Sequence, residues 1–360
     1  MNINNIERRK NMINIMSQNE EFIIVGLTGR IGSGCTETAK ILASDFQTRR
    51  DNVDWIVGMQ KAIDYIENHL TEKIDYNVVA AQSFSSSYHF QRVFSILCGF
   101  TIGEYIRNRR LTIAGSELAT TDAKVIDVAL KYGYESPDSF AKAFKQFHGV
   151  SPSQVKNNGS ILKSFAPLVL KISLEGGSAM KYRIEERPEM ILTGYKARFT
   201  GVPYGEEREN QEGQLFVSTR AKQWLLRGAK GSTSDTTTDM CLITNIDDEG
   251  YDFYYVAELD KYERDNMYNT EVTGFHYMHE FGFENIVVPK QTYAIFTTEE
   301  QAYPVNDYMD IRKRIVSEWL PANSYEIKDA PEISVYHWFP KYAKEKRYIE
   351  IWLPIERAER

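Results

Sequence analysis

Two nine-residue segments, 86–94 and 136–144, repeat a pattern of side chains that can contact DNA. They align at an offset of 50 residues, with serine, phenylalanine, a basic residue and phenylalanine in matching places. On a helix, the polar face would carry Ser87, Tyr88, Gln91 and Arg92 in the first copy, and Asp138, Ser139, Lys142 and Lys145 in the second. Arginine and glutamine pair with guanine and adenine edges, and lysine binds phosphate. One polar face alone would be an ordinary solvated surface, but two matched faces predict contacts with bases or phosphates.

A different site is predicted near the C-terminus, where a carboxylate lies between aromatic residues. On a strand, Tyr348, Glu350 and Trp352 share one face, and the apolar residues between them share the other. Tyr336 and Trp338 share a face of the preceding predicted strand and would extend a cage around Glu350. Such a cage binds a lipophilic cation through charge and cation–π attraction. The alternative is that an arginine pairs with Glu350 and the aromatic residues only pack.

Helical periodicity across residues 55–158 positions the first pair of faces. Apolar residues recur at i, i+3, i+4 and i+7 in both copies: Phe90, Val93, Phe94 and Leu97, then Phe140, Ala143, Phe144 and Phe147. Each copy follows a short helix with a small residue, Ala80 or Ala129, and a tight turn, which predicts two helix-turn-helix units. One helix, Ile102–Leu118, separates them, and we expect it to space the recognition helices by about one DNA turn, ~34 Å.

The second unit carries the most specific motif in the chain. Residues 128–136 read VALKYGYES, and Phe140, Phe144 and the run GVSP at 149–152 follow. This stretch closely resembles the AraC/XylS-type DNA-binding domain. The resemblance implies a transcription regulator, expected to be an activator, that binds double-stranded DNA and works with RNA polymerase. Because both recognition helices are in one chain and no heptad repeat predicts a dimer, we expect it to bind as a monomer. Since its two recognition helices differ, it would read an asymmetric, bipartite site.

Two positions depart from the pattern of that family. The turn glycine present as Gly133 is Phe84 in the first copy, and Val155-Lys156 replaces the usual aromatic–arginine pair. Both departures fall at positions that support the scaffold or contact the DNA backbone. We therefore expect the fold and the class of protein to be unaffected.

From residue 180 the pattern changes to alternating strands, interrupted by helices predicted at 213–227 and 305–319. This order predicts a duplicated α+β unit around an antiparallel sheet. Together with the run IEIWLPI at 349–355, it resembles the GyrI-like effector-binding domain, which implies a small-molecule effector and a ligand contact at Glu350. The predicted fold is thus multidomain. An all-α double helix-turn-helix domain at 55–158 is followed by a linker at 159–179 and an α+β antiparallel-sheet effector domain at 180–358.

The N-terminal extension, residues 1–50, resembles the start of a P-loop kinase. Gly29, Gly34 and Thr36 fit the phosphate-binding pattern, but Cys35 occupies the position of the lysine that contacts phosphate. The strand–helix unit also ends near Arg50, too early for a doubly wound sheet. We expect a truncated remnant without nucleotide binding, and no cofactor.

Composition and charge exclude several classes of protein. The 360 residues carry a net charge of −7, of which about −8 falls on 159–360, where 25 basic residues face 33 acidic ones. Three distant cysteines and six histidines give no disulfide framework, zinc pattern or catalytic pair. Apolar runs are too short for a membrane helix. We expect a cytoplasmic regulator that is not an enzyme, and the alternative is a GyrI-like hydrolase or drug-sequestering protein fused to a DNA-binding module.

Overall fold

The helices of the N-terminal half form two successive helix-turn-helix units. The computed structural model describes residues 57–158, 161–170, 180–204, 206–231, 238–268, 277–338 and 343–358, so the P-loop-like extension lies outside it. The helices of this half are α1 (57–68), α2 (Tyr76–Ala81), α3 (Ser87–Cys98), α4 (Ile102–Thr120), α5 (Val125–Lys131), α6 (Pro137–His148) and α7 (Pro152–Asn158). The pairs α2–α3 and α5–α6 are the two predicted units.

Local signals explain where the two recognition helices begin and end. Ser86 caps α3 by accepting from the N–H of His89, and Ser136 caps α6 in the same way. Both helices end at a left-handed glycine, Gly99 at φ 76° and Gly149 at φ 84°. The repeated serines and glycines therefore define the same helix length twice.

The turn between α2 and α3 contains a strained residue. Phe84 adopts φ 54° with a side chain that is 86% exposed, whereas Gly133 occupies the matching turn at φ 82°. A bulky residue in the left-handed region costs about 1–2 kcal/mol, and an exposed ring recovers little of that cost by packing. We expect Phe84→Gly to raise the free energy of unfolding by about 1 kcal/mol, measured by urea denaturation. Gly133→Ala should lower it, and a destabilising Phe84→Gly would show that the ring packs against something.

The C-terminal half is a sheet with helices against one face. Its strands are β1 (Tyr182–Arg187), β2 (Met190–Thr200), β3 (Thr238–Thr244), β4 (Gly250–Glu258), β5 (Glu284–Val288), β6 (Gln291–Thr297), β7 (Tyr325–Ile327), β8 (Glu332–His337) and β9 (Tyr348–Arg357). Its helices are α8 (Glu206–Ser218), α9 (Arg220–Ala229), α10 (Lys261–Tyr268), α11 (Tyr277–Glu280) and α12 (Val305–Arg314), with a π-helical turn at Ile315–Trp319 and a 3₁₀ turn at Lys344–Lys346. The strand order is β1-β6-β9-β8-β3-β4-β2-β5, antiparallel throughout, and β7 pairs with β9.

The central strand β8 separates apolar from polar side chains. Ile333 and Val335 join an apolar cluster on one face of the sheet. Glu332, Ser334 and Tyr336 alternate with them and point to the helices on the other face, where all three are buried. Burying polar side chains under helices costs free energy unless each one is hydrogen-bonded. The polar face of β8 is therefore the first place to look for a functional site.

The two helix-turn-helix units are packed differently. The apolar core around α2 and α3 continues into the helix-covered face of the sheet. The core around α5 and α6 is a separate cluster that contains Leu111, Phe140 and Phe144. The described residues belong to one compact unit of the chain, in which the first helix-turn-helix is joined to the sheet domain.

The predicted fold class is confirmed, with local corrections. The helix predicted at 213–227 is two helices, α8 and α9, and the strands β2, β5 and β7 were not predicted. Residues 161–170, within the predicted linker, run along the helical domain, where the N–H of Leu168 donates to the Tyr105 hydroxyl at 3.1 Å. Among the described residues, no helix has the length and apolarity to cross a bilayer, and no cluster of acidic, His and Cys side chains could hold a metal.

Candidate functional site

The predicted DNA-reading residues of α3 are turned towards the sheet domain. Ser87, Tyr88 and Gln91 are half-buried, and Gln91 donates to the Ser87 hydroxyl at 3.1 Å. Arg92 is only 2% exposed. In this conformation Arg92 is closed to solvent and the rest of the face predicted to meet DNA is half-buried, so base contact by Arg92 stays a prediction that requires α3 to leave this position.

The partner of Arg92 is a carboxylate from the other half of the chain. Its guanidinium donates to Oε2 of Glu332 on β8 at 2.7 Å and lies 4.9 Å from the ring centre of Tyr204. Glu332 also accepts from Arg312 of α12. Burial raises the pKa of Glu332, but Arg312 and Arg92 outweigh burial and hold that pKa below its ordinary value. Glu332 is therefore ionised and pairs with two arginines.

Two further contacts fix α3 on the sheet domain. The backbone N–H of Ile327 donates to Nδ1 of His89 at 2.8 Å. Burial lowers the pKa of His89 to about 4, so the ring is neutral and free to accept this bond. At the start of the helix, the N–H of Ser86 donates to Glu326 at 3.3 Å. We call these bonds, together with the Arg92–Glu332 pair, the docking contact.

The second recognition helix has the opposite environment. Asp138, Ser139, Lys142 and Lys145 of α6 are all exposed, while Phe140 and Phe144 of the same helix are buried. The structure thus brings these four polar side chains together on one open face. Such a face, with its N-terminal turn uncovered, has the geometry that a helix needs to enter a major groove.

A cavity of about 220 Å³ lies in the sheet domain beside the end of β8. It is lined by Phe216, Gln223, Arg227, Asp239, Tyr255, Tyr336 and Trp338. Four of these seven side chains are aromatic, and the two charged ones form an ion pair, in which Nε of Arg227 donates to Asp239 at 2.8 Å. This combination of flat apolar walls and a few polar groups is typical of small-molecule sites.

The carboxylate of Asp239 is held in the cavity more firmly than the guanidinium of Arg227 with which it pairs. Asp239 accepts from the Tyr255 hydroxyl and from the indole N–H of Trp338 at 2.8 Å, and its side chain is 10% exposed. Burial, and then the charge of Asp239, raise the pKa of Tyr255, which keeps its hydroxyl protonated as a donor. The Arg227 side chain is 27% exposed and lies at the rim. Arg227 can turn into water, whereas Asp239 keeps two neutral donors.

The cage predicted around Glu350 is not assembled. In the β8–β9 pairing, Val335 and not Tyr336 lies opposite Glu350, so Tyr336 and Trp338 face the other side of the sheet. Glu350 accepts from Arg183 at 3.1 Å and from the Trp352 indole at 2.8 Å. Burial raises its pKa, but the neighbouring side chains of His337, Arg183 and Trp352 outweigh burial and lower it to about 2.

The aromatic neighbours of Glu350 also have other partners. Tyr348 stacks on His337 with ring centres 4.1 Å apart, and Trp352 lies 5.1 Å from the Arg187 guanidinium. The geometry matches the alternative in which an arginine satisfies the glutamate and the aromatic residues pack. A ligand contact at Glu350 stays a prediction.

Comparison with known proteins identifies the family. A model of a helix-turn-helix domain matches residues 79–158, and a model described as integron-associated effector binding protein matches residues 183–355. The regulatory protein SoxS of Salmonella typhimurium is 35% identical over 99 residues, which is 28% of this chain and 92% of SoxS. The chain belongs to the AraC family of transcription regulators. Its C-terminal half is an effector-binding domain of the GyrI-like type.

Other relatives of this AraC-family chain cover parts of it. The transcriptional activator AarP of Providencia stuartii is 47% identical over 89 residues, so the match spans 25% of this chain and 66% of AarP. The solved structure of SAV2435 bound to tetraphenylphosphonium covers 49% of this chain and 94% of that protein, at 14% identity and a TM-score of 0.36.

Three charged residues of the candidate sites, Glu332, Asp239 and Arg312, were not predicted from the sequence. Glu332 immediately precedes a strand predicted from Ile333, and extending that strand by one residue would have placed it on the face of Tyr336 and Trp338. Asp239 lies two residues before the strand predicted at 241–246, on the face of Cys241. Arg312 lies within the helix predicted at 305–319, for which no site residue was predicted. Charged residues at the edges of apolar runs were the available signal.

Proposed function

We propose that this chain is a transcription regulator that binds double-stranded DNA through its helix-turn-helix units and responds to a small molecule in its C-terminal cavity. The observation that carries the proposal is the open face of α6, with Lys142 and Lys145 exposed beside Asp138 and Ser139. The family assignment supports the same reading. No other described helix combines this motif with an exposed polar face at its first turn.

The proposed DNA site is asymmetric and bipartite. The polar faces of α3 and α6 differ in sequence, so the two half-sites would differ as well. Between them, α4 is a 19-residue helix, which is about 28 Å long and comparable to one turn of DNA. Because both readers are in one chain, a monomer suffices. AarP is named an activator, and we extend activation, with a contact to RNA polymerase, to this chain as part of the proposal.

The proposed effector is a flat, apolar cation. The cavity of about 220 Å³ is smaller than the ~300 Å³ at which drug-sized sites begin, so the ligand would have about two rings. Aromatic walls favour a flat molecule. Asp239 is fixed by Tyr255 and Trp338, whereas Arg227 can swing out of the rim. The negative charge of Asp239 therefore remains in the cavity and favours a positively charged ligand.

Binding-site selection from a pool of random duplexes, followed by footprinting, tests the DNA part of this proposal. We expect Lys142→Ala to weaken binding to all sequences alike and to reduce the slope of log affinity against log salt by about 1, because one phosphate contact is lost. Lys290→Ala is the matched control, since Lys290 is an exposed lysine of the sheet domain.

Three results would contradict the proposal. Equal affinity of wild type and Lys142→Ala would remove α6 as a DNA-reading helix. A symmetric footprint occupied by two chains would exclude the monomer. Failure of the wild-type chain to enrich any sequence would overturn DNA binding itself.

A further inference from the structure

The two recognition helices differ in whether DNA can reach them. The polar face of α6 is open, whereas the face of α3 is half-buried and its arginine, Arg92, is 2% exposed and bonded to the sheet domain. A helix that reads a major groove must present this face to base edges. With α3 in this position, only the second unit can read DNA.

We propose that the C-terminal domain keeps the first recognition helix closed through the docking contact, so that the chain reads one half-site until this contact opens. The inference rests on the proposed DNA-binding function and adds its regulation. Three bonds distributed along the first two turns of α3 make the contact: Ser86 to Glu326, His89 to Ile327, and Arg92 to Glu332. The helix cannot rotate its polar face outward without breaking all three.

The Arg92–Glu332 pair has the chemistry of a contact that can be released. When Arg92 leaves, Glu332 is still paired with Arg312, so opening strands no buried carboxylate. Nε and Nη1 of Arg92 are buried and have no hydrogen-bond partner among the described residues, so the closed position satisfies this guanidinium incompletely. An exposed guanidinium regains water, phosphate or base partners. The closed state is therefore held by a pair that both partners can give up at limited cost.

A continuous row of contacts joins the cavity to this pair. Tyr336 lines the cavity, and its hydroxyl accepts from Nη2 of Arg208 at 3.4 Å. Arg208 and Arg312 each donate to the Tyr308 hydroxyl at 2.6 Å, and Arg312 binds Glu332. Because these buried side chains of α8, α12 and β8 are joined by hydrogen bonds in one layer, a ligand that moves Tyr336 acts on the same layer that holds Arg92.

Parallel selections from one random duplex pool test this inference in the full chain. We expect wild type to specify base positions in one half-site. Glu332→Gln leaves Arg92 and Arg312 facing each other without a carboxylate, and His89→Ala removes the acceptor for Ile327 without touching the Glu332 cluster. Both variants should specify a second block of positions about 10 base pairs away and bind the resulting duplex about tenfold more tightly than wild type.

Asp252→Asn is the matched control. Asp252 is a buried carboxylate of the same sheet, and its ion-pair partners Lys196 and Arg198 both belong to the sheet domain. We expect it to behave as wild type in the selection. Thermal unfolding of each variant shows whether the chain is folded. If Glu332→Gln does not fold, His89→Ala still tests the inference.

A measurement without DNA separates this inference from the proposed function. Hydrogen exchange of the Ile327 amide, which donates to His89, should be faster in Glu332→Gln than in wild type or Asp252→Asn. Equal exchange in all three would overturn the docking contact as a closure, even if DNA binding is intact. Identical selected positions for all four chains would overturn it as well. If no chain enriches any sequence but Ile327 exchange still rises, the docking contact stands and the proposed function fails.

Discussion

Asp239→Asn is expected to lower the affinity for a flat cation about 100-fold, because it removes the fixed charge from a partly buried site. Asparagine keeps the size of the side chain, and its one carbonyl oxygen can accept from Trp338 while the Tyr255 hydroxyl turns to accept from its amide group, so the cavity should retain its shape. The probe is N-methylquinolinium, and titration calorimetry measures its dissociation constant. Quinoline, which has the same two rings without the charge at pH 7.5, should bind both proteins equally.

The same probe shows whether Asp239 or Arg227 determines the preference for a cation or an anion. A cation must displace Arg227 from Asp239, so Arg227→Met should tighten binding of N-methylquinolinium. An anion such as 2-naphthoate would instead need Arg227 and would lose affinity in that variant. Glu350→Gln distinguishes the two candidate carboxylates, since Glu350 lies on the other face of the sheet from Tyr336. Loss of cation binding in Glu350→Gln, with Asp239→Asn unchanged, would place the ligand at Glu350.

Local sequence patterns were sufficient for the helical domain. The apolar spacing of Phe90 and Phe140 predicts the buried faces of α3 and α6, and serine and glycine mark their ends, because caps and periodicity act within one or two helical turns. The strand near 333–338 and its side-chain alternation were predicted for the same reason. These features depend only on neighbouring residues.

The sites depend on pairs that are distant in the chain, and the sequence does not specify them. Arg92 and Glu332 are 240 positions apart, and Glu350 meets Arg183 across 167. A polar helix face has the same sequence whether it meets water, DNA or another domain. The alternation of β9 correctly separates Glu350 from Ile349, but only the register of β8 against β9 shows that Tyr336 lies on the side of Ile349.

The row of arginines under the sheet predicts a large loss of stability from a small change. Arg208 and Glu212 form an i, i+4 pair on α8 whose side chains are 2% and 13% exposed. Glu212→Gln keeps the shape but leaves the buried guanidinium of Arg208 without its carboxylate. Breaking one partner of a buried pair costs about 3–5 kcal/mol, so we expect the free energy of unfolding to fall by about 3 kcal/mol in urea denaturation.

Arg314 and Glu318 provide the matched comparison, because they form an i, i+4 pair of the same residue types with side chains 30% and 34% exposed. Water already solvates both of these charges, and such pairs contribute about 0.5 kcal/mol or less, so Glu318→Gln should change stability little. The double variant Arg208→Met with Glu212→Leu removes both buried charges and should recover most of the loss. Equal effects of Glu212→Gln and Glu318→Gln would mean that Arg208 is already satisfied by Tyr308 and the Pro203 carbonyl, which both accept from it. In that case the buried layer between the cavity and Glu332 would be held by hydrogen bonds to neutral groups, and its ion pairs would contribute little to its rigidity.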